Sequence, residues 1–180
     1  MATDSLRIAK QIASIRNHGE YNKSFIGCGY NFRLTDIQAA IILSQIENIE
    51  KLIQQRIKLA QNYNMLLESL EEKGLLKRPL CHKGYRHIYQ SYVIMLGKSI
   101  DRDRVKRLLK EKGIETQFGT YCLPLLNFFK KNFRIPKESY KNSCYAYRHS
   151  LTLPLYHSLK YEEQAYIVGA LIKSIGKCAG

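Results

Sequence analysis

Apolar positions recur in steps of three and four over much of the chain, and that spacing predicts helices. Residues 4–17 read as the first. Leu6, Ala9, Ile12 and Ala13 fall on one face, Thr3, Asp4 or Ser5 can cap the start, and Gly19 follows as a stop. Residues 18–34 lose the periodicity and carry three glycines, including Gly27 and Gly29 on either side of Cys28, so a loop is expected. The strongest helical signal comes next. Thr35-Asp36-Ile37-Gln38 is a capping box, in which the Thr35 hydroxyl and the Gln38 amide satisfy free backbone N–H groups. Behind it Ile42, Ile46, Ile49, Ile53, Ile57 and Ala60 form a stripe that continues through Tyr63 and Leu67 to about Leu70, with room for one break, and Gly74 ends it. A helix of that length in a small domain crosses the whole body or packs on a partner subunit.

The second half alternates between periods. Ile88–Leu96 is rich in aromatic and β-branched residues and reads as a strand. Asp101 caps a short basic helix with Val105, Leu108 and Leu109 inward and Gly113 at its C′ position. Ile114–Phe118 reads as a second strand, and 123–132 and 137–149 as short helices divided by Pro136. Leu151–Leu155 is a third short strand, placed at an edge or end by Pro154. A last helix sets Tyr161, Ala165, Val168, Ile172 and Ile175 on one face. The sum is an α+β arrangement, a helical N-terminal half followed by a small β-α-β-α-α-β-α layer.

Composition narrows the class. Of 180 residues, 45% are apolar and 24% charged, which is a globular balance. No stretch approaches the roughly 18 apolar residues of a membrane span, and the first residues show no signal-peptide pattern, so no membrane association is expected. Five scattered cysteines without a CxxC pair argue against a disulfide framework and against a structural zinc site, which points to a reducing cytoplasm. The net charge of +14 suits a polyanionic partner or a solvated basic surface, and does not choose between them.

No self-contained catalytic set is present: no GxSxG, HExxH, Walker loop or GxGxxG occurs. His18, His82, His87, His149 and His157 lie far apart in sequence, and Cys28 has no neighbouring base. The segment from Gly29 to Ala40 differs. A polar loop with an amide at Asn31 and a guanidinium at Arg33 ends on a capped helix N-terminus, a combination suited to a phosphate or carboxylate. Equally, Asn31 could make a turn bond while Arg33 pairs with a nearby acid; physics alone leaves the two readings even.

That segment, GYNFRLTDIQAA, resembles the GYNxRxTDIQAA signature of the DegT/DnrJ/StrS family, the pyridoxal-phosphate-dependent nucleotide-sugar aminotransferases. Further resemblances follow in order along the chain. Thr3-Asp4 with Arg16-Asn17-His18-Gly19 is similar to the family's TND…LRxHG segment, and His87-Ile88-Tyr89 with Tyr92 to its HxYxxY strand. The run from Gly113 to Tyr121, GIETQFGTY, is similar to its substrate segment, and Leu153-Pro154-Leu155-Tyr156 to its LPLY turn. Two positions depart: Pro124 stands where a histidine is common, and His157 where proline is common.

The resemblance implies the C-terminal small domain of a fold-type I aminotransferase, with long N-terminal helices and a small, mainly antiparallel sheet covered by helices. Residues 1–34 would belong with a large domain, and 35–180 would form the long helix and the C-terminal α+β domain. It implies pyridoxal phosphate as cofactor, with Asn31 reaching its phosphate across a homodimer and Arg33 contacting cofactor or substrate. His87, Tyr121 and Tyr156 are implied on the substrate side, the substrate being a nucleotide-linked keto sugar, with glutamate as amino donor and surface polysaccharides or related glycans as the end use. The family's Schiff-base lysine lies upstream of the first matched motif, so the chain is expected to be a C-terminal part that is inactive alone. Two other readings remain: a non-catalytic dimerisation module built on the long helix, and a basic nucleic-acid binder. The latter lacks any recognition-helix, RRM or zinc-finger pattern, so no nucleic-acid partner is expected.

Overall fold

The computed structural model describes residues 3–178, arranged as two compact units, Met1–Ile49 and Glu50–Gly180. In the first, helix α1 (Leu6–Arg16) starts at Ser5, whose hydroxyl accepts from the Ile8 N–H. The segment after it is not a featureless loop. Strands β1 (Glu20–Tyr21) and β2 (Ser24–Phe25) pair antiparallel across Asn22 and Lys23, both at positive φ, as a tight two-residue hairpin requires. Such a short ladder leaves no periodic signature. Helix α2 (Asp36–Glu47) has the full Thr35–Gln38 capping box. It ends at Asn48, whose backbone N–H turns back to the Gln45 and Ile46 carbonyls while its side chain donates to Ser44 O. Helix α3 (Ile49–Glu72) resumes at once, so the expected long helix is two helices with a break at Asn48.

The second unit holds the core. Helix α3 contributes Leu59, Ala60, Tyr63, Leu67 and Leu70. Strands β3 (Leu76–Lys77), β4 (Tyr92–Leu96) and β5 (Ser150–Leu153) form one antiparallel sheet in that order, with Tyr92 opposite Leu153, Ile94 opposite Leu151, and Leu76 opposite Leu96. Alternate β4 residues Tyr92, Ile94 and Leu96 are buried. Helix α4 (Arg102–Lys110) is capped by Asp101, buries Val105 and Leu109, and packs against α7 (Tyr161–Gly176). Short helices α5 (Asn127–Asn132) and α6 (Lys141–His149) lie on either side of Pro136, as expected.

Four expectations are corrected. The strand expected at 88–96 begins only at Tyr92, because Tyr89 sits at φ 47 with its carbonyl, and that of Gln90, held by the Arg56 guanidinium. Ile114–Phe118 is not a strand: one bridge joins Gln117 to Thr152, after which Gly119 crosses the sheet against Val93 and Ser150, where any side chain would collide with Val93 Cγ1. Leu76–Lys77 takes the third place in the sheet. Gly113 lies one residue beyond C′, since α4 is capped at Glu111. Finally, the buried face of α7 is Gln164, Ile167, Val168, Leu171, Ser174 and Ile175, whereas Tyr161 and Ile172 are exposed. Two polar residues hid that face, and both are satisfied: Gln164 donates to Leu59 O at 2.9 Å and accepts from Asn62, and Ser174 donates to Ala170 O.

Candidate functional site

In the first unit the end of α1 and the segment 26–32 lie together through backbone bonds: His18 N to Tyr30 O, Tyr30 N to Ile15 O, and Phe32 N to Arg16 O. This contact needs two glycines. A Cβ on Gly29 would strike Gly19 N and His18 C, and one on Gly19, itself at φ 81, would strike Gly27 O. Asn31, bridged to Asn17, and Arg33 are thereby set beside His18. Arg33 Nε donates to Asn31 Oδ1 at 2.9 Å, and Arg33 Nη2 contacts His18 Nε2 at 3.1 Å. Since a guanidinium only donates, His18 Nε2 must be the accepting nitrogen, with its proton on Nδ1.

The structure therefore brings Asn31 and Arg33 together, and Arg33 pairs with an amide and an imidazole rather than with an acid. Among the described residues Arg33 has no ion pair, and Asn31 Nδ2 and Arg33 Nη1 have no side-chain partner, so two donors face outward. Such a donor set, without a carboxylate and just before the N-terminus of α2, suits a phosphate. His18 is the third residue of this cluster, and the sequence alone did not single it out. Its signal was the adjacent Gly19 in Arg16-Asn17-His18-Gly19, which marks a tight turn where a polar side chain is held in place.

In the second unit the three expected substrate residues occupy three different surroundings. His87 Nδ1 accepts from Tyr89 N at 2.9 Å, and its ring lies 4.2 Å from that of Tyr89. From there Tyr89, Tyr92 and Tyr63 follow ring against ring. Burial, with Tyr156 and Tyr92 nearby, pushes the Tyr63 phenol well up, so it stays protonated and donates to Pro154 O at 2.9 Å. Tyr92, raised first by burial, donates to Asn64 Oδ1.

Tyr121 is 56% exposed, edge-on to Phe118 and stacked beside Tyr147. Beneath this trio lies Arg102, 6% exposed, with its guanidinium 5.6 Å from the Phe118 ring and 5.8 Å from that of Tyr147. Arg102 is neutralised by Asp103 at 2.7 Å and also donates to Ser150 O. The buried cation supports Phe118 and Tyr147, the two rings against which Tyr121 packs, and is not free for a ligand. Tyr156 lines a third place, a cavity of about 630 Å³ with Ile114, Glu115, Leu159, Glu162 and Tyr166 among its walls.

The model of the DegT/DnrJ/EryC1/StrS aminotransferase family matches residues 1–172. A pleiotropic regulatory protein of Geobacillus stearothermophilus is 34% identical over 174 residues, which is 92% of this chain and 44% of that protein. The crystal structure of a DegT DnrJ EryC1 StrS aminotransferase from Brucella abortus is 26% identical, with a TM-score of 0.79 over 97% of this chain and 45% of that one. NtdA from Bacillus subtilis, solved with bound cofactor PMP, shares the fold at 24% identity and a TM-score of 0.81, covering 97% of this chain and 41% of its own. The chain spans about half the length of the curated relatives it matches.

Proposed function

The chain belongs to the DegT/DnrJ/EryC1/StrS aminotransferase family, and from that premise we propose that it is the C-terminal part of an enzyme that aminates a nucleotide-linked keto sugar. The observation that carries the reading is the Asn31–Arg33–His18 cluster, in which Asn31 and Arg33 keep donors open beside the accepting His18 and no acid is present, held by the Gly19–Gly29 contact. These residues fit the phosphate of pyridoxal phosphate, of which the PMP bound by NtdA is the amino form. Asn31 Nδ2 donates to the phosphate. Arg33 adds a charge-assisted bond to phosphate or substrate, and His18 keeps the guanidinium from swinging away. When bound, the cofactor supplies an electron sink for moving an amino group between donor and acceptor. The amino donor is glutamate in this reading.

His87, Tyr121 and Tyr156 contact the substrate. The half-exposed Tyr121 ring is the member best placed to meet a flat group, because Phe118 and Tyr147 hold it and Arg102 in turn supports both of those rings. The carboxylates around Tyr156 disfavour a diphosphate, so its contact is with the sugar. Asn31 and Arg33 serve the site of a second subunit in a homodimer, a reading supported by the exposed apolar residues of α2. Among the described residues no helix is long and apolar enough to cross a membrane, and five free cysteines suit a reducing cytoplasm.

The test uses the chain joined to a lysine-bearing large domain of the family. Loss of a hydrogen bond to a charged group costs about 1.5–3 kcal/mol, roughly ten- to more than a hundredfold in affinity. Asn31→Ala is expected to weaken cofactor retention by that factor, measured by equilibrium dialysis, and Arg33→Ala to act mainly on turnover or substrate binding. Mixing Asn31→Ala subunits with lysine-null subunits is expected to restore part of the activity, since one composite site in the mixed dimer is then intact. Unchanged cofactor retention in Asn31→Ala, or no recovery despite proven exchange, would refute the assignment across the dimer.

A further inference from the structure

The cavity beside Tyr156 has a charge opposite to that of the chain around it. Against a net charge of +14, the ionised side chains among its lining residues are all acidic: Glu115, Glu162 and Glu163. Among the described residues none of the three is in an ion pair. Two of them have structural reasons to be there. Glu163 accepts from the Lys160 N–H at 2.7 Å and so caps α7, and Glu162, in the first turn, complements the helix dipole. Glu115 has no such task. It comes from the segment after α4, where it also lines a smaller cleft with Lys106 and Lys110, and no hydrogen bond or ion pair occupies its carboxylate among the described residues.

The remaining lining completes a recognisable chemistry. Ile114, Leu159 and Ile167 provide apolar surface from buried side chains. Tyr156 and Tyr166 add aromatic rings, and Tyr166 is anchored by its hydroxyl, which donates to Lys112 O at 3.2 Å. Aromatic faces attract cations through the ring quadrupole, and the carboxylates contributed by two separate segments add to that attraction. The volume, about 630 Å³, falls within the range of small-molecule pockets. We propose that this cavity binds a small organic cation, an ammonium or guanidinium group carried on an apolar body. The site goes beyond the aminotransferase reading, with which it shares Tyr156 alone; Glu115, Glu162 and Tyr166, the groups varied below, have no substrate contact in that reading.

Three probes share one body and differ in charge: phenethylammonium, 2-phenylethanol and phenylacetate. Each is titrated into the 180-residue chain at low ionic strength and followed by backbone amide NMR. Phenethylammonium is expected to saturate shifts at Gly113, Leu159 and Ile167, about tenfold more tightly than the alcohol, with phenylacetate weaker still. In Glu115→Gln/Glu162→Gln that preference is expected to fall to about threefold or less, with circular dichroism unchanged, since the capping Glu163 is retained. Tyr166→Leu is expected to weaken the ammonium about fivefold, while Tyr166→Phe keeps the ring and most of the affinity. The proposal is overturned by equal affinity for ammonium and alcohol, by shifts confined to other residues, or by a preference that survives in the double glutamine variant. It is overturned equally by no saturable binding of phenethylammonium below about 10 mM.

Discussion

Residues 50–178 and residues 3–49 are built from similar sequence patterns and end in opposite states. In the second unit, helices α3, α4 and α7 each bury a face against the sheet or one another, and Tyr63, Leu67, Leu109 and Leu171 have no exposed surface. In the first, only Ser14 and Gly19 are buried among residues 3–49, and α2 buries nothing. One isoleucine stripe crosses both: Ile42, Ile46 and Ile49 are exposed, Ile53 and Ile57 are half-buried, and Ala60 is fully buried. Periodicity therefore predicts that a helix forms, and which side is apolar, but not what covers that side. The first unit relies on caps, a hairpin and a glycine contact, all of them backbone devices. The second relies on packed side chains.

The largest effect should come from testing that contrast directly. Leu67→Ala removes a fully buried side chain and is expected to cost about 2–5 kcal/mol in urea unfolding, cavity included. Ile42→Ala, on a residue 44% exposed within the single chain, is expected to change the same transition by less than about 0.5 kcal/mol when it is measured at a dilution where the chain is monomeric. Comparable losses at the two positions would mean that in solution the apolar face of α2 is covered, and the contrast between the units would fail.

Legibility followed the same division of forces. Features set by local backbone chemistry were readable: the Thr35–Gln38 box, the Asp101 cap, the break at Pro136 and the edge strand before Pro154. Features set by tertiary competition were not. Gln117 pairs once with Thr152 and then yields to the crossing at Gly119, so a β-rich run never becomes a strand. Leu76–Lys77 is a two-residue strand, too short to show alternation. The face of α7 was misassigned because Gln164 and Ser174 are polar by type yet buried, each satisfied by a partner that sequence does not display. At the candidate site the pair Asn31 and Arg33 was legible from the resemblance. His18 was not singled out for it, because its partner Arg33 lies fifteen residues away along the chain and only the folded turn joins them.

A smaller effect tests the glycine contact of the first unit. Gly29→Ala places a Cβ against Gly19 N and His18 C, so the backbone contact must open, at an expected local cost of about 1–3 kcal/mol. Hydrogen exchange should accelerate at the His18 and Phe32 amides, which donate to Tyr30 O and Arg16 O, while amides of β4 keep their protection. Gly27→Ala is the control, since a Cβ there meets nothing within 4 Å, and exchange should stay near that of the parent chain. Faster exchange in β4 as well would show that the two units unfold together.

The smallest effect belongs to pH and to the second unit alone. His149, at the end of α6, has a buried Nδ1 without a partner, and burial, reinforced by Arg148, Arg102 and Lys98, lowers its pKa below the usual 6.5. As pH falls below that value the unfolded chain takes up the proton first while the folded chain resists it. The neutral His149 therefore supports the fold above about pH 6.5, and this support is lost as pH falls toward the lowered folded value. One proton limits the slope to about 1.4 kcal/mol per pH unit, and partial exposure makes the real slope shallower. The melting temperature of the parent chain should drop more between pH 7 and 5 than that of His149→Gln, which cannot take up that proton. The four other histidines contribute equally to both proteins and cancel in the difference. If the two curves run parallel, the imidazole is as free to charge in the fold as out of it, and the second unit is more open around α6 than its packing implies.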